Sequence, residues 1–168
     1  RRWGLSRIMV VDIDAHHGNG TQEAFYDTDE VLFLSFHEYP AYPGTGHMRE
    51  AGAGPGEGFT VNVPLDRGSG DREFARVLRW LAAPLAREYL PKAILVSCGF
   101  DLHQADPLAH LNGTGAGYAL LTRLLCRIAD EVCQGRIAFV LEGGYSTRGV
   151  REGALNVMQE LCGVPAAP

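Results

Sequence analysis

No apolar run in this 168-residue chain approaches the roughly 20 residues that span a bilayer, and the opening RRWGLSR lacks the long apolar stretch of a signal peptide. No membrane association is expected, and the cytoplasm is the expected setting. Cysteine is scarce: Cys98, Cys126, Cys133 and Cys162 fall into no CxxC spacing, which argues against a disulfide framework or a thiolate metal site and for reduced, mostly buried thiols. Lysine and arginine form no block and the formal net charge is -5, so a nucleic-acid surface is not expected. There is also no internal repeat and no low-complexity linker. With 46% hydrophobic and 21% charged residues, the sequence suits one globular domain with an ordinary core.

What is present is an alternation. Apolar runs at Arg7 to Ile13, Val31 to Phe36, Phe59 to Val63, Ala93 to Cys98 and Ile137 to Leu141 read as buried strands. Between them lie segments of helical period: Gly20 to Asp27, Asp71 to Leu90, Thr114 to Cys133 and about Arg148 to Leu161. Pro84 is expected to kink the second of these or to begin a new helix. Strands that are apolar throughout, alternating with amphipathic helices, predict a mainly parallel sheet covered on both faces, an α/β three-layer sandwich.

Ligands of such sheets bind beyond the carboxyl ends of the strands. The polar clusters fall there each time: Asp14 and His16 after the first strand, Ser35 and His37 after the second, Asp101 after the fourth, Glu142 to Tyr145 after the last. Asp14, His16 and Asp101 would supply two carboxylates and one imidazole, a three-ligand set that leaves coordination positions open and is catalytic in character. The Asp-x-Asp-x-His spacing predicts that Asp12, Asp14 and His16 share one side of a strand. Tyr145, after two glycines, is either a packing residue or a hydroxyl donor to a developing oxyanion. Glu142 reads as a hydrogen-bonded structural carboxylate, Asp106 as a turn residue before Pro107, and His103 and His110 as exposed loop histidines. The Gly- and Pro-rich loop from Tyr39 to Gly58 is a candidate pocket wall.

VDIDAHHGNGTQ, YPGTG, VNVPL, SCGFDLHQADPL and LEGGY together, in that order, resemble the zinc-dependent histone deacetylase family, closest to its class II members, whose bacterial relatives include acetoin-utilisation proteins and acetylpolyamine amidohydrolases. The resemblance covers nearly the whole chain and implies an arginase/deacetylase-like fold. It also implies that Asp14, His16 and Asp101 hold Zn2+, or Fe2+ in its place, and that Tyr145 is the catalytic tyrosine polarising the scissile carbonyl. A structural potassium ion would be held by Asp12, main-chain oxygens of Asp14, His16 and Phe36, and the Ser35 hydroxyl, hard oxygen ligands that suit it. Tyr42, Leu108 and Gly144 match positions along the acyl-lysine tunnel, and His17 a supporting one. The implied substrate is an acetylated protein or peptide, or a small acetylated amine. An apolar residue at Leu108 favours the peptide, since polyamine-specific relatives place an acid there. Dinuclear ureohydrolases need further aspartates where this chain has Gly18 and His103.

The family's general base is one of a tandem histidine pair upstream of the first motif. The only tandem here, His16-His17, lies within the ligand motif. The chain also opens on Arg1, with Met9 inside the first apolar run. It is therefore expected to be the C-terminal portion of a single deacetylase domain, incomplete at its N-terminus, nearly inactive alone, and with a sheet edge open to association. A non-catalytic acyl-peptide-binding module is the alternative.

Overall fold

The computed structural model describes residues 5–164. Strands β1 (Ile8–Asp12), β2 (Val31–Glu38), β3 (Thr60–Leu65), β4 (Ala93–Cys98) and β5 (Ile137–Leu141) form one sheet in the order β3-β2-β1-β4-β5, with every neighbouring pair parallel. Helices α1 (Asn19–Phe25), α2 (Asp71–Val77), α3 (Ala83–Tyr89) and α4 (Gly115–Cys133) lie between strands, and α5 (Thr147–Leu161) follows the last one. β1 and β4 are central, so the segments that follow them emerge side by side at the carboxyl edge.

Alternate residues of the strands face opposite ways. Met9, Val11, Leu34, Phe36, Ile94 and Val96 join Phe74, Leu78, Tyr118, Leu121 and Leu125 of the helical layer in one buried cluster. Each such side chain contributes about 1.5–3 kcal/mol relative to exposure, so this face dominates the stability. The other face carries a small cluster of Val10, Val31 and Phe33, over which the His17 ring lies at 6.3 Å from that of Phe33. Farther along the same face Leu95 and Val140 are exposed, and the outer edge of β5 has no strand partner among the described residues.

The expected helix from Asp71 to Leu90 is interrupted. Leu78–Ala82 winds as a π-helix and α3 starts at Ala83 with Pro84 in its first turn. The wider turn accommodates the missing proline N–H and rotates the buried face, so Ala82 is buried while Leu81, which continues the helical spacing of Phe74, Val77 and Leu78, is 38% exposed. β2 runs two residues beyond its expected end, which puts His37 and Glu38 inside the strand. β3 admits Pro64 because it is an edge strand.

Candidate metal centre

β1 ends at Asp12, so the alternation of a strand does not bring Asp14 and His16 together as the spacing predicts. Two successive aspartate turns do it instead: the Asp14 N–H donates to Asp12 Oδ1 at 3.0 Å, and the His16 N–H to Asp14 Oδ1 at 2.8 Å. Asp101 arrives from the turn after β4. Its Oδ1 accepts from the Ala15 N–H at 2.8 Å, and its Oδ2 lies 3.1 Å from His16 Nδ1, which is also 3.2 Å from Asp14 Oδ1. The potential ligand atoms of Asp14, His16 and Asp101 all lie within 4.8 Å of one another.

Two glycines make room for this triad. A Cβ on Gly99 would stand less than 3.0 Å from Asp14 Oδ2 and Asp101 Oδ1, and one on Gly143 equally close to both Oδ2 atoms. Gly143 also donates its N–H to Asp14 Oδ2 at 3.0 Å. The donor set therefore fits a divalent cation: two converging carboxylates and an imidazole in a cradle with no side-chain bulk on two sides.

The charges point the same way. Burial pushes the Asp101 carboxyl up, and the neighbouring Asp14 adds to it, against the hydrogen bond from His16. Hydrogen bonds to Asp101 and Asp14 push the His16 imidazole up to about 10. Asp12, 3% exposed, is raised well above the usual range by burial and by the charges of Asp14, Glu142 and Asp101. Such a concentration of buried acid calls for cations. Tyr145 is raised by burial first and then by Asp101 and Asp14, so its hydroxyl is a proton donor at neutral pH.

Asp14 and His16 line a cleft of about 720 Å³ together with Asp12, His17, Tyr42, Leu108, Glu142 and Tyr145, while Asp101 is fully buried. The His16 ring is flanked edge-on by those of Tyr42 and Tyr145, at 6.2 and 6.4 Å. Tyr42 and Leu108, 80% and 57% exposed, form the rim. Gly144, with φ of 137°, does not line this cleft; a Cβ there would press on Phe100 and Val150. Ser35 and Ser97 are register partners of Asp12 on either side, and Phe36 stacks on Phe74 at 5.6 Å beneath them.

Several loop residues differ from expectation. His103 is buried, not exposed, because α5 covers it: Nε2 meets Glu152 Oε2 at 3.1 Å. His110 is exposed, yet its backbone N–H and Nδ1 are bound by the buried Glu38 at 2.6 and 3.0 Å. Glu142, expected as a hydrogen-bonded structural carboxylate, is exposed and lines the cleft. His17 anchors the pocket wall, with Nδ1 2.8 Å from Thr45 Oγ1 and Nε2 3.1 Å from Gln22 Oε1. Gln22 donates in turn to Glu50 at 2.7 Å, and Glu50 accepts from the N–H groups of Gly46 and His47. Neither Gly99 nor this relay has a signal in the sequence beyond proximity to the motifs.

Fold and site together define a parallel α/β domain in which, among the described residues, one three-residue group could hold a metal ion, with a tyrosine on the adjoining cleft. The histone deacetylase domain model matches residues 1–161, and the chain belongs to that family. It is 48% identical over 146 residues to a probable deacetylase of Archaeoglobus fulgidus, covering 87% of this chain and 41% of that protein. It is 44% identical to histone deacetylase 14, chloroplastic, of Arabidopsis thaliana, covering 97% of this chain and 38% of the relative. Among solved structures, the HDA15 HD domain superposes with a TM-score of 0.91 at 37% identity, over 99% of this chain and 47% of that one. The chain thus spans about two fifths of these curated relatives. No described helix is long and apolar enough to cross a membrane.

Proposed function

We propose that this chain carries the metal centre of a deacetylase that hydrolyses the amide of acetyl-lysine in proteins or peptides. The observation that carries the reading is the clustering of Asp14, His16 and Asp101, the first two of which line one cleft with Tyr145. Asp14, His16 and Asp101 would hold Zn2+, or Fe2+ in its place, displacing the proton shared between His16 and the carboxylates. A divalent ion there supplies Lewis acidity toward the carbonyl and toward water. Tyr145 donates its hydroxyl to the carbonyl oxygen as negative charge develops on it. Water adds to the carbonyl carbon, the C–N bond breaks, and the lysine amine leaves with a proton beside acetate. Tyr42 and Leu108 would flank the acyl-lysine stem, and the apolar Leu108 favours a peptide over a polyamine.

A potassium ion held by Asp12, Ser35 and the main-chain oxygens of Asp14, His16 and Phe36 fits the same reading. It is supported by the register of Asp12 with Ser35 and by the buried Asp12 carboxyl. Residues 1–168 are read as the C-terminal portion of one deacetylase domain, supported by the 47% coverage of the HDA15 HD domain and by the uncovered Leu95 and Val140. The sole tandem histidine pair, His16-His17, lies in the candidate ligand motif, so the family's upstream general base is read as lying outside this sequence. The chain alone would then turn over about 10²- to 10⁴-fold more slowly than the longer protein. A cytosolic setting fits its unpaired thiols.

The test is acetate release from an acetyl-lysine peptide by this chain and by the longer protein in parallel. Turnover by the longer protein that Tyr145→Phe lowers sharply, to a measurable residue, is expected. Turnover of acetylpolyamine alone points to the amidohydrolase; peptide binding without acetate release points to a binding module.

A further inference from the structure

Resting on the role given to Tyr145, we propose that Asp106 is its positioning residue, a carboxylate that fixes the tyrosine and the rim residue Leu108 against one another. Asp106 is 7% exposed. Oδ1 accepts from the N–H of Leu108 at 2.9 Å and of Ala109 at 3.3 Å, closing its own turn. Oδ2 accepts from the N–H of Tyr145 at 2.8 Å, across 39 residues of sequence. A turn residue explains the first arm alone. The second arm joins the loop after β4 to the turn after β5, the two segments that deliver Asp101 and Tyr145.

Tyr145 needs such a tether. Beyond β5 the chain passes through Gly143 and Gly144, which offer no side chains to pack, and the tyrosine itself is 56% exposed. Its backbone is held by hydrogen bonds: Glu142 N–H to the Cys98 carbonyl at 3.1 Å, Gly143 N–H to Asp14, Phe100 N–H to the Gly143 carbonyl at 2.7 Å, and Tyr145 N–H to Asp106. The first three fix the path up to Gly143; only the last acts on Tyr145. A carboxylate suits the task because both of its oxygens accept. An asparagine would turn an N–H₂ group toward one of these N–H donors.

The test is a double-mutant cycle in the longer protein: Asp106→Asn, Tyr145→Phe and both, assayed for kcat and KM on an acetyl-lysine peptide, with bound metal and amide hydrogen exchange over residues 142–147 measured alongside. Misplacement of the donor predicts a kcat loss of about 10- to 100-fold for Asp106→Asn. KM and metal content should stay the same, exchange at the Tyr145 amide should be faster, and the further loss in the Tyr145→Phe background should be under about 2-fold. An equal loss in both backgrounds, or no loss, overturns the proposal. Should the parent show no deacetylation at all, the functional reading fails, and the exchange rate decides positioning alone: faster upholds it, unchanged overturns it. Asp106→Glu, which keeps the charge but shifts it by one methylene, carries the same cycle if the asparagine variant does not fold.

Discussion

Gly143 donates its N–H to Asp14 Oδ2 at 3.0 Å, joining residues 129 positions apart. The turn after β5 is therefore tied to the candidate metal centre, and a separate bond to Asp106 holds the tyrosine two residues later.

Gly143→Ala places a Cβ against Asp101 and Asp14. Divalent-metal affinity should fall about 10- to 100-fold, as for other groups that orient ligands, read by competition with a chromophoric chelator. Gly20→Ala, where a Cβ would meet nothing within 4 Å, should leave affinity unchanged.

Metal should also stabilise the fold. Zinc at about 100 times its dissociation constant contributes about 2.7 kcal/mol, seen as a higher melting temperature. Chelator or Asp101→Asn should remove the increment. An equal increment in Asp101→Asn would place the binding elsewhere.

Tyr118 is buried, and its hydroxyl donates to the Gly99 carbonyl at 2.9 Å, directly behind the triad. Tyr118→Phe leaves that carbonyl without its partner and should cost about 1–3 kcal/mol, measured from the denaturant midpoint at constant slope.

His37 lies between Ser35 Oγ at 2.9 Å and the Gly46 carbonyl at 2.9 Å, and burial pushes it down to about 4. The unfolded chain binds this proton more readily than the fold does. The contribution of neutral His37 is therefore intact above about 6.5 and is lost as pH falls toward 4, by up to about 3 kcal/mol. A stability profile of His37→Gln should be flatter in that window.

Thiol labelling should follow burial. Cys162 is exposed, Cys126 intermediate, and Cys98 and Cys133 are buried, so Cys162 reacts first under native conditions. Cys98, pushed up to about 12 by burial and by Asp14, should resist until unfolding.

The parallel sheet is legible because its strands are apolar at every position, and Asp14, His16 and Asp101 because ligand-type residues recur at the strand ends. Other features depend on contacts that no local pattern carries. His103 is buried by α5, nearly fifty residues on. Leu81 is turned outward by the π-helix before Pro84. Gly99 and Gly143 act through an absent Cβ, and Asp106 looks the same in sequence whether it serves one loop or two.

The most direct test is stoichiometric. Removing metal from the longer protein with a chelator and titrating Zn2+ back should restore acetyl-lysine hydrolysis linearly up to one equivalent per chain, with no recovery in Asp14→Asn. Full activity without metal, or a requirement for two equivalents, would contradict a centre built from Asp14, His16 and Asp101.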